Sequence, residues 1–250
     1  ATGILEKLHL FYPGAKIDFL LRKGNEGLLA NHPYLNELLI WDKKVNKIKG
    51  LFRLLRTVRA NRYDKVINVQ RFAATGILTA FSGAKESIGY DKNPLSWFFT
   101  KRVPHIQASF ENPVHEIDRC NDLVAHFTDH QALPPHLYPS PGDYQKIAHL
   151  TEKPFIVIAP ASVWFTKQYP AEKWIAFLKK LPGGIAVFLI GAASDEPLAQ
   201  RIISGTGNSN LVSLCGQLNF LQSAALMEKA LMNYVNDSAP MHFASAVNAP

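Results

Sequence analysis

Residues 155–191 read FIVIAPASVWFTKQYPAEKWIAFLKKLPGGIAVFLIG, in which two short apolar runs flank an amphipathic segment. The apolar runs, Phe155–Pro160 and Ile185–Gly191, are too short to cross a membrane and are typical of buried strands. Between them, Ala171–Leu181 has the apolar spacing of a helix that begins after Pro170. A strand, a helix and a second strand in this order predict a parallel β-α-β unit.

The same alternation runs through the 250-residue chain and predicts an α/β fold with parallel sheets. Further strands are predicted at Ile17–Arg22, Glu37–Asp42, Lys65–Gln70, Glu86–Tyr90, Leu211–Gly216 and Asn233–Asn236. Further helices are predicted at Thr2–Tyr12, Lys47–Asn61, Ala73–Phe81, Val114–Thr128, Glu196–Ser204, Phe220–Lys229 and Ser238–Val247.

A proline-rich stretch, His130–Asp143, separates two such regions. Its four prolines are at positions 134, 135, 139 and 141, and they argue against a helix or a central strand because proline lacks the backbone donor. We therefore expect an interdomain connection and two domains, residues 1–150 and 151–250. The chain opens inside a helix and closes before an expected strand. We expect the first strand of the N-terminal domain and the end of the C-terminal domain to lie outside it.

The composition argues against several classes of protein. Hydrophobic residues make up 47% and charged residues 19% of the chain, which is typical of a globular rather than a disordered protein. No apolar run approaches the ~20 residues of a membrane-spanning helix. The two cysteines, Cys120 and Cys215, show no pairing pattern. A disulfide scaffold and a Cys-rich zinc site are therefore not expected, and a reducing compartment fits.

The positive charge is concentrated in one segment. The whole chain carries +7, but Lys43–Lys65 alone contains nine basic residues and one acid. The rest of the chain is therefore near neutral, which favours a local anionic partner over a nucleic acid. In the helix Lys47–Asn61, five apolar residues are spaced to form a buried face: Ile48, Leu51, Leu54, Leu55 and Val58. Lys49, Arg53 and Arg56 are expected on the opposite side, where a solvated face without a partner is the alternative.

Two groups of residues follow predicted strands of the C-terminal half, at the strand ends where parallel α/β sheets bind ligands. Lys167 lies in the loop after Phe155–Pro160 and could neutralise a diphosphate, although a solvated loop lysine is the alternative. Asp237 or Ser238 is suited to begin a helix whose free N–H groups attract phosphate, and His242 lies one turn further. A plain capped helix with a packed histidine is the alternative there.

A third group is the turn Gly191-Ala192-Ala193-Ser194-Asp195-Glu196. An acidic side chain at this strand end could accept hydrogen bonds from ribose hydroxyls, whereas capping of the next helix by Ser194 or Asp195 is the alternative. Together the three groups predict one crevice for phosphate and ribose. No metal site is expected, because His126 and His130 share a helical spacing but have no third ligand at a suitable distance in sequence.

These groups resemble a known family. The patterns K-x-x-P-x-x-x-W from Lys167, G-A-x-x-D-E from Gly191 and N-D-S-x-P-M-H-x-A from Asn236 resemble glycosyltransferase family 9, the ADP-heptose:lipopolysaccharide heptosyltransferases. In the N-terminal half, Phe11–Leu20 and Ser87-Ile88-Gly89-Tyr90 are similar to the family's second strand and its R-I-G-Y stretch. The chain departs from the pattern at Ala239, where the family usually has glycine.

The resemblance implies a GT-B fold, with two Rossmann-like doubly wound parallel-sheet domains facing across a cleft. It implies a metal-independent, inverting transfer of heptose from ADP-heptose to the inner core of lipopolysaccharide. The nucleotide sugar would bind the C-terminal domain and the acceptor the N-terminal domain. No cofactor is implied, because the ADP-sugar is a substrate. A GT-B enzyme that uses another nucleotide sugar and a catalytically inactive nucleotide-binding relative are the alternatives.

The resemblance also implies roles for individual residues. Lys167 would stabilise the leaving phosphate, and the general base would be an Asp upstream of Ala1, outside the chain. Arg71, beside the end of the strand Lys65–Gln70, would bind acceptor carboxylates. Donor binding would fall to Asp195 or Glu196, with Asp237, Ser238 and His242.

The basic helix then has an expected partner. Lys49, Arg53 and Arg56 would contact the anionic inner core of lipopolysaccharide or the inner face of the inner membrane. This predicts a cytoplasmic protein with peripheral membrane contact and without a nucleic-acid partner.

Overall fold

The computed structural model describes residues 2–110 and 113–250, which fall into two compact units. One unit contains Ala1–Glu26 and Pro33–Pro135, and the other contains Gly27–His32 and His136–Pro250. The described strand pairs of both units are parallel, which confirms the predicted α/β class. The division falls between Pro135 and His136, inside the proline-rich stretch rather than near residue 150.

The first unit has two parallel sheets with helices packed on them. The two-stranded sheet pairs β1 (Asp18–Arg22) with β2 (Glu37–Trp41). The other sheet has the order β3-β4-β5, with β3 at Lys65–Asn68, β4 at Glu86–Tyr90 and β5 at Lys101–Val103. The helices are α1 (Thr2–Phe11), α2 (Lys47–Ala60), α3 (Ala73–Ala80) and α4 (Glu116–Asp122). The sequence pattern does not predict β5, because it has three residues of which two are exposed and basic.

Helix α2 buries a narrower apolar face than the sequence predicts. Leu51, Leu54 and Val58 pack with residues of β2 and α3, whereas the Ile48 side chain is 69% exposed. The prediction that Ile48 belongs to the buried face is wrong, because this residue lies in the first turn of the helix and roughly 90° around it from the centre of that face. The predicted exposure of three cations is confirmed for Lys49, Arg53 and Arg56.

A further helix begins inside the proline-rich stretch. Helix α5 spans Pro141–Ile147 and belongs to the second unit, so the prediction that this stretch contains no helical residue is wrong at its end. Proline is tolerated in the first helical turn, where its missing N–H has no intrahelical partner. Ser140 caps the helix, since its Oγ accepts from the Asp143 N–H at 3.2 Å and its own N–H donates to the Asp143 carboxylate at 2.8 Å.

The second unit contains one parallel sheet with the order β8-β7-β6-β9. Its strands are β6 (Phe155–Ala159), β7 (Ala186–Leu189), β8 (Leu211–Ser213) and β9 (Asn233–Val235). The helices that follow α5 are α6 (Ala171–Leu178), α7 (Glu196–Thr206), α8 (Phe220–Lys229) and α9 (Ala239–Ala246).

Strand β6 is covered on both faces, which explains its uninterrupted apolar sequence. Phe155, Val157 and Ala159 pack with residues of α5, α8 and α9. Ile156 and Ile158 pack instead with residues of α6 and α7. Since alternate residues of a strand point to opposite faces, α6 and α9 lie on opposite sides of the sheet. The predicted doubly wound arrangement is confirmed for this unit.

Two further expectations concern the thiols and the membrane. Cys120 and Cys215 are buried free thiols, so the expectation that they are unpaired is confirmed. Within the described ranges, no helix combines the length and the apolar character needed to cross a bilayer.

Candidate functional site

The carboxyl ends of β6 and β9 lie side by side in the four-stranded sheet of the second unit, at the point where the strand order changes direction. The chain runs from β6 through β7 to β8 on one side and returns to β9 on the other side of β6. The connections after β6 and β9 lead to helices on opposite faces, α6 and α9. Such a reversal opens a crevice at the carboxyl edge, which is the usual ligand site of open parallel sheets.

Lys167 and Asp237 meet at this crevice. Lys167 ends a single 3-10 turn, Phe165–Lys167, in the loop after β6, and Asp237 lies two residues after the end of β9. The Lys167 Nζ lies 2.5 Å from the Asp237 carboxylate, and both side chains are about half exposed. The hydrogen bond from the ammonium, together with its charge, holds the pKa of Asp237 below its usual value. Two residues that the sequence places in separate groups therefore form one ion pair.

Asn236 holds the two loops together, and sequence reasoning did not single it out. Its side chain is buried between the loops, where Nδ2 donates to the Pro160 carbonyl at 2.8 Å. Its Oδ1 accepts from the Tyr169 N–H at 3.1 Å. The two bonds attach both ends of the Lys167 loop to the end of β9. In the sequence, this residue is marked by its position: it is an amide directly after an apolar strand and directly before an acid.

The first turn of α9 lacks a side-chain cap. Ser238 is the N-cap residue by position, but its Oγ donates to the Asn236 carbonyl at 3.3 Å and caps no N–H of the helix. A helix N-terminus without such a cap keeps positive potential and free donors for an anion. Ala239 is the first residue of α9, so it has the negative φ of a helix, and the absence of glycine at this position introduces no backbone strain.

His242 is exposed on α9 rather than packed in the core. It lies close enough to Asp237 for its charge to lower the pKa of that carboxyl further, after the larger effect of Lys167. Asp237, Ser238 and His242 therefore lie beside one helix N-terminus, and Lys167 joins them from the neighbouring strand's loop. This arrangement offers positive charge and hydrogen-bond donors to an anionic group.

Asp195 and Glu196 follow β7, the neighbour of β6 on its other side. The Asp195 carboxylate accepts from the Ala192 N–H at 2.8 Å and so closes its own turn. Gly191 permits this geometry, because a Cβ at that position would lie 2.7 Å from the Asp195 carboxylate. Glu196 accepts from Ser213 Oγ at 2.5 Å and from Gln200 Nε2 at 2.8 Å, and these bonds lower its pKa. Both acids are half-buried at the carboxyl edge of the sheet.

Arg71 belongs to the first unit, where it is exposed beyond the end of β3. Near it lies His105, a buried residue whose ring packs edge-on against Tyr90 at 4.8 Å between centroids. Burial lowers the pKa of His105, and the charges of Arg71 and Arg119 act in the same direction. The buried His105 Nδ1 has no hydrogen-bond partner within the described residues. This edge therefore combines the exposed guanidinium of Arg71 with a ring nitrogen of His105 that lacks a hydrogen-bond partner among the described residues.

Within the described ranges, no group of three or more His, Cys, Asp or Glu side chains is arranged to hold a metal ion. The positive groups identified at the β6/β9 crevice are the Lys167 ammonium and the first turn of α9.

Comparison with known proteins gives the chain its family. The sequence profile of glycosyltransferase family 9 (heptosyltransferase) matches residues 51–250. The chain is 27% identical over 262 residues to lipopolysaccharide heptosyltransferase 3 of Escherichia coli, an alignment that covers 100% of this chain and 77% of that protein.

Two solved structures share its fold. The glycosyl transferase family 9 structure from Veillonella parvula DSM 2008 superposes with a TM-score of 0.84 at 22% identity, covering 100% of this chain and 74% of that one. The E. coli heptosyltransferase WaaC, solved with ADP, superposes with a TM-score of 0.72 at 20% identity, covering 100% of this chain and 80% of that one. With the profile match, these similarities show that the chain belongs to glycosyltransferase family 9 and is a glycosyltransferase of the GT-B fold class.

Proposed function

We propose that this protein transfers a heptose from ADP-heptose to the inner core of lipopolysaccharide, with inversion at the anomeric carbon. The observation that carries the proposal is the Lys167–Asp237 pair beside the uncapped first turn of α9. A diphosphate needs such a concentration of donors and positive charge at a strand-end crevice. The heptosyltransferase relatives and the ADP bound to WaaC support the choice of sugar and nucleotide.

In the proposed reaction, an acceptor hydroxyl oxygen attacks the anomeric carbon of the donor. The bond from that carbon to the phosphate oxygen breaks, its electron pair stays on ADP, and the hydroxyl proton passes to a general base. Negative charge therefore grows on the leaving diphosphate. Lys167 and the N–H groups of α9 would stabilise that charge without a metal ion. Activity that persists in excess EDTA would support this part of the proposal.

The Lys167–Asp237 pair is suited to give way to a donor. Both side chains are about half exposed, and exposed ion pairs in water contribute little to stability. A diphosphate that enters the crevice can therefore recruit the ammonium at small cost. The carboxylate that it leaves would then be free to accept hydrogen bonds from sugar hydroxyls, with Ser238 and His242 beside it.

The ribose of the donor is assigned to the acid-bearing turn after β7. Asp195 and Glu196 each have hydrogen-bond partners in the chain, yet a carboxylate accepts more bonds than the one or two that each makes here. We keep both as candidates, and separate Asp195→Ala and Glu196→Ala variants distinguish them by the loss of preference for ADP over free diphosphate.

The acceptor is assigned to the first unit. Arg71 offers an exposed guanidinium, which suits bidentate binding of a sugar carboxylate. The unsatisfied Nδ1 of His105 supports this position, because a polar ligand would supply its missing partner. Lys49, Arg53 and Arg56 of α2 are proposed to face the anionic cytoplasmic surface of the inner membrane, from which a lipid-linked acceptor is presented.

A thermal-shift series with ADP, UDP, GDP and NAD tests the donor assignment. A ligand at 100 times its Kd stabilises the folded state by about 2.7 kcal/mol, which raises the melting temperature by several degrees. We expect selective stabilisation by ADP in the wild type and a smaller shift in Lys167→Ala. Selectivity for UDP or GDP would keep the family and overturn the heptose donor. No response to any nucleotide would contradict the donor site.

A further inference from the structure

The first unit displays aromatic rings to solvent. Three of them lie close together: Phe81 at the end of α3, and Trp97 and Phe98 in the single 3-10 turn Ser96–Phe98. Their exposed fractions are 43%, 81% and 62%, and the Phe81 and Phe98 ring centroids are 5.8 Å apart. Three neighbouring exposed aromatic rings are unusual on a monomeric protein and mark an interaction surface.

The turn that carries these rings is anchored in the fold. Ser96 is buried and its Oγ donates to the Asp91 carbonyl at 2.9 Å. Phe99, the next residue after the turn, is buried against Gly89, where any Cβ would collide with its ring at 2.5 Å. Residues on both sides of Trp97 and Phe98 are therefore fixed inward, so the two exposed rings are held outward by the fold.

Two arginine side chains lie beside the rings. Arg59, on the last turn of α2, donates from Nη1 to the Phe81 carbonyl at 3.0 Å. The Arg102 guanidinium lies 4.8 Å from the centroid of the Trp97 ring. We call these five residues the aromatic-basic surface: Arg59, Phe81, Trp97, Phe98 and Arg102.

The aromatic-basic surface continues along α2. Phe52 and Ile48, one turn apart on that helix, are 62% and 69% exposed among its basic residues. Through Arg59 the exposed apolar side chains of α2 connect to the rings of the loop. The segment Lys43–Lys65 that contains α2 has nine basic residues and one acid.

We propose that the aromatic-basic surface docks the first unit on an anionic phospholipid bilayer. Trp and Phe prefer the boundary between headgroups and acyl chains, and arginine binds lipid phosphates through its planar guanidinium. The charge of α2 supplies attraction to an anionic leaflet, and the rings supply insertion that charge alone does not provide. This inference deepens the membrane contact proposed above for Lys49, Arg53 and Arg56, and rests on it for the orientation of α2.

The composition and geometry of the surface favour a bilayer over a nucleic acid. Proteins that bind single-stranded nucleic acids present aromatic rings whose flat faces are accessible, so that bases can stack on them. Here Arg102 already covers a face of Trp97, and the Phe81 and Phe98 rings are tilted by 40°. Insertion of the rings edge-on into a lipid interface does not require their flat faces to be accessible. A folded protein partner would not require the excess positive charge beside the rings.

Sedimentation with vesicles tests the proposal. The full chain is mixed with vesicles of phosphatidylcholine alone or with 30% phosphatidylglycerol. We expect binding to the anionic vesicles, weak binding to the neutral ones, and a loss of at least tenfold in apparent affinity in Trp97→Ser/Phe98→Ser. The matched control is Phe165→Ser, which removes an 88% exposed aromatic side chain from the second unit and should bind as the wild type does.

A fluorescence measurement reports insertion directly. The chain has four tryptophans, of which Trp41 and Trp174 are buried. In a Trp164→Phe background Trp97 is therefore the exposed reporter, and its emission should shift to the blue on anionic vesicles. An unshifted emission, equal binding to neutral vesicles, or wild-type binding by Trp97→Ser/Phe98→Ser would overturn the proposal.

The same variants separate this inference from the proposed activity. Because the general base is expected upstream of Ala1, heptose transfer is measured in the intact protein that includes that residue. With a lipid-free oligosaccharide acceptor, Trp97→Ser/Phe98→Ser in that protein should transfer heptose at the wild-type rate, because neither ring belongs to the proposed donor or acceptor site. Vesicle binding without any heptose transfer would overturn the activity and leave the docking surface intact. Heptose transfer by a wild-type protein that binds no vesicles would overturn the docking surface and leave the activity intact.

Discussion

The Lys167 ammonium lies 2.5 Å from the Asp237 carboxylate, although the two residues are 70 positions apart in the chain. Parallel pairing of β6 with β9 brings them together, since Ala159 is in register with Val235 at the carboxyl ends of the two strands. The pair combines a half-exposed cation with an acid whose pKa that cation lowers. The proposed donor diphosphate would therefore meet a cation already positioned in the crevice.

Replacement of Lys167 tests its proposed role in catalysis. In the intact protein that includes the expected general base, Lys167→Ala should lower the rate of heptose transfer by about 100-fold or more, because removal of one donor to a developing negative charge has effects of that size. The melting temperature should change little, since the side chain is about half exposed. Lys180→Ala removes an exposed lysine from the same unit and is the control. A transfer rate equal to that of the control would remove Lys167 from the mechanism.

Replacement of Asn236 tests the connection between the two loops. Asn236→Ala removes the donor to the Pro160 carbonyl and the acceptor for the Tyr169 N–H, and should lower the free energy of unfolding by about 1–3 kcal/mol. Urea denaturation measures this, with the exposed Asn210→Ala as control. Because the Lys167 loop loses its attachment, the affinity for ADP should also fall. Unaltered affinity in a destabilised variant would limit Asn236 to a role in folding.

Replacement of His242 distinguishes donor binding from packing. His242→Ala should weaken ADP binding several-fold in calorimetry while it changes the free energy of unfolding by less than about 0.5 kcal/mol, as expected for an exposed residue. His149→Ala, another exposed histidine of this unit, should leave both quantities unchanged. If the variant binds ADP as tightly as the wild type, His242 has no part in the donor site.

Stability should fall in mild acid because of His32. Burial lowers the pKa of His32 to about 4 from its ordinary 6.5, with a further contribution from the charge of His136. Between these values the unfolded chain takes up a proton that the folded chain does not, so the folded state loses stability as the pH falls. The loss amounts to as much as about 3 kcal/mol by pH 4.

Urea denaturation at pH 7 and pH 4.5 measures the effect of His32. The His32→Phe variant cannot take up that proton, so its stability should depend less on pH than that of the wild type. His149→Phe, which replaces an exposed histidine, should keep the wild-type dependence. Identical pH dependence in His32→Phe and the wild type would show that other groups dominate acid unfolding.

The predictability of each element follows from how much of it is buried. Strand β6 is predicted closely, because all five of its residues are buried and apolar. Strand β5 is missed, because only Val103 of its three residues is buried. Helix α5 is missed because the prolines before it and Pro141 at its start suggest a break, whereas the capping box of Ser140 and Asp143 allows a helix to begin at Pro141. For Ile48, spacing alone places an apolar residue on the buried face of α2 although it is exposed.

The candidate site is predicted in its parts but not in its assembly. Strand ends and a helix start pick out Lys167 and Asp237 separately, because each feature is local in sequence. Their contact depends on the order β8-β7-β6-β9, which no local pattern encodes. Asn236 is missed for a related reason, since its two partners, Pro160 and Tyr169, lie more than 60 residues earlier in the chain.

The position of β9 determines when, during folding, the crevice proposed to bind the donor is formed. Strands β6, β7 and β8 can assemble from contacts close in sequence, whereas β9 reaches β6 only after the closure of a long loop, at a cost in chain entropy. An intermediate in which most of the second unit's core is formed would therefore still lack the crevice proposed to bind the nucleotide. The gain of ADP binding during refolding should lag behind the gain of β-α-β structure, so that nucleotide binding reports the completed unit.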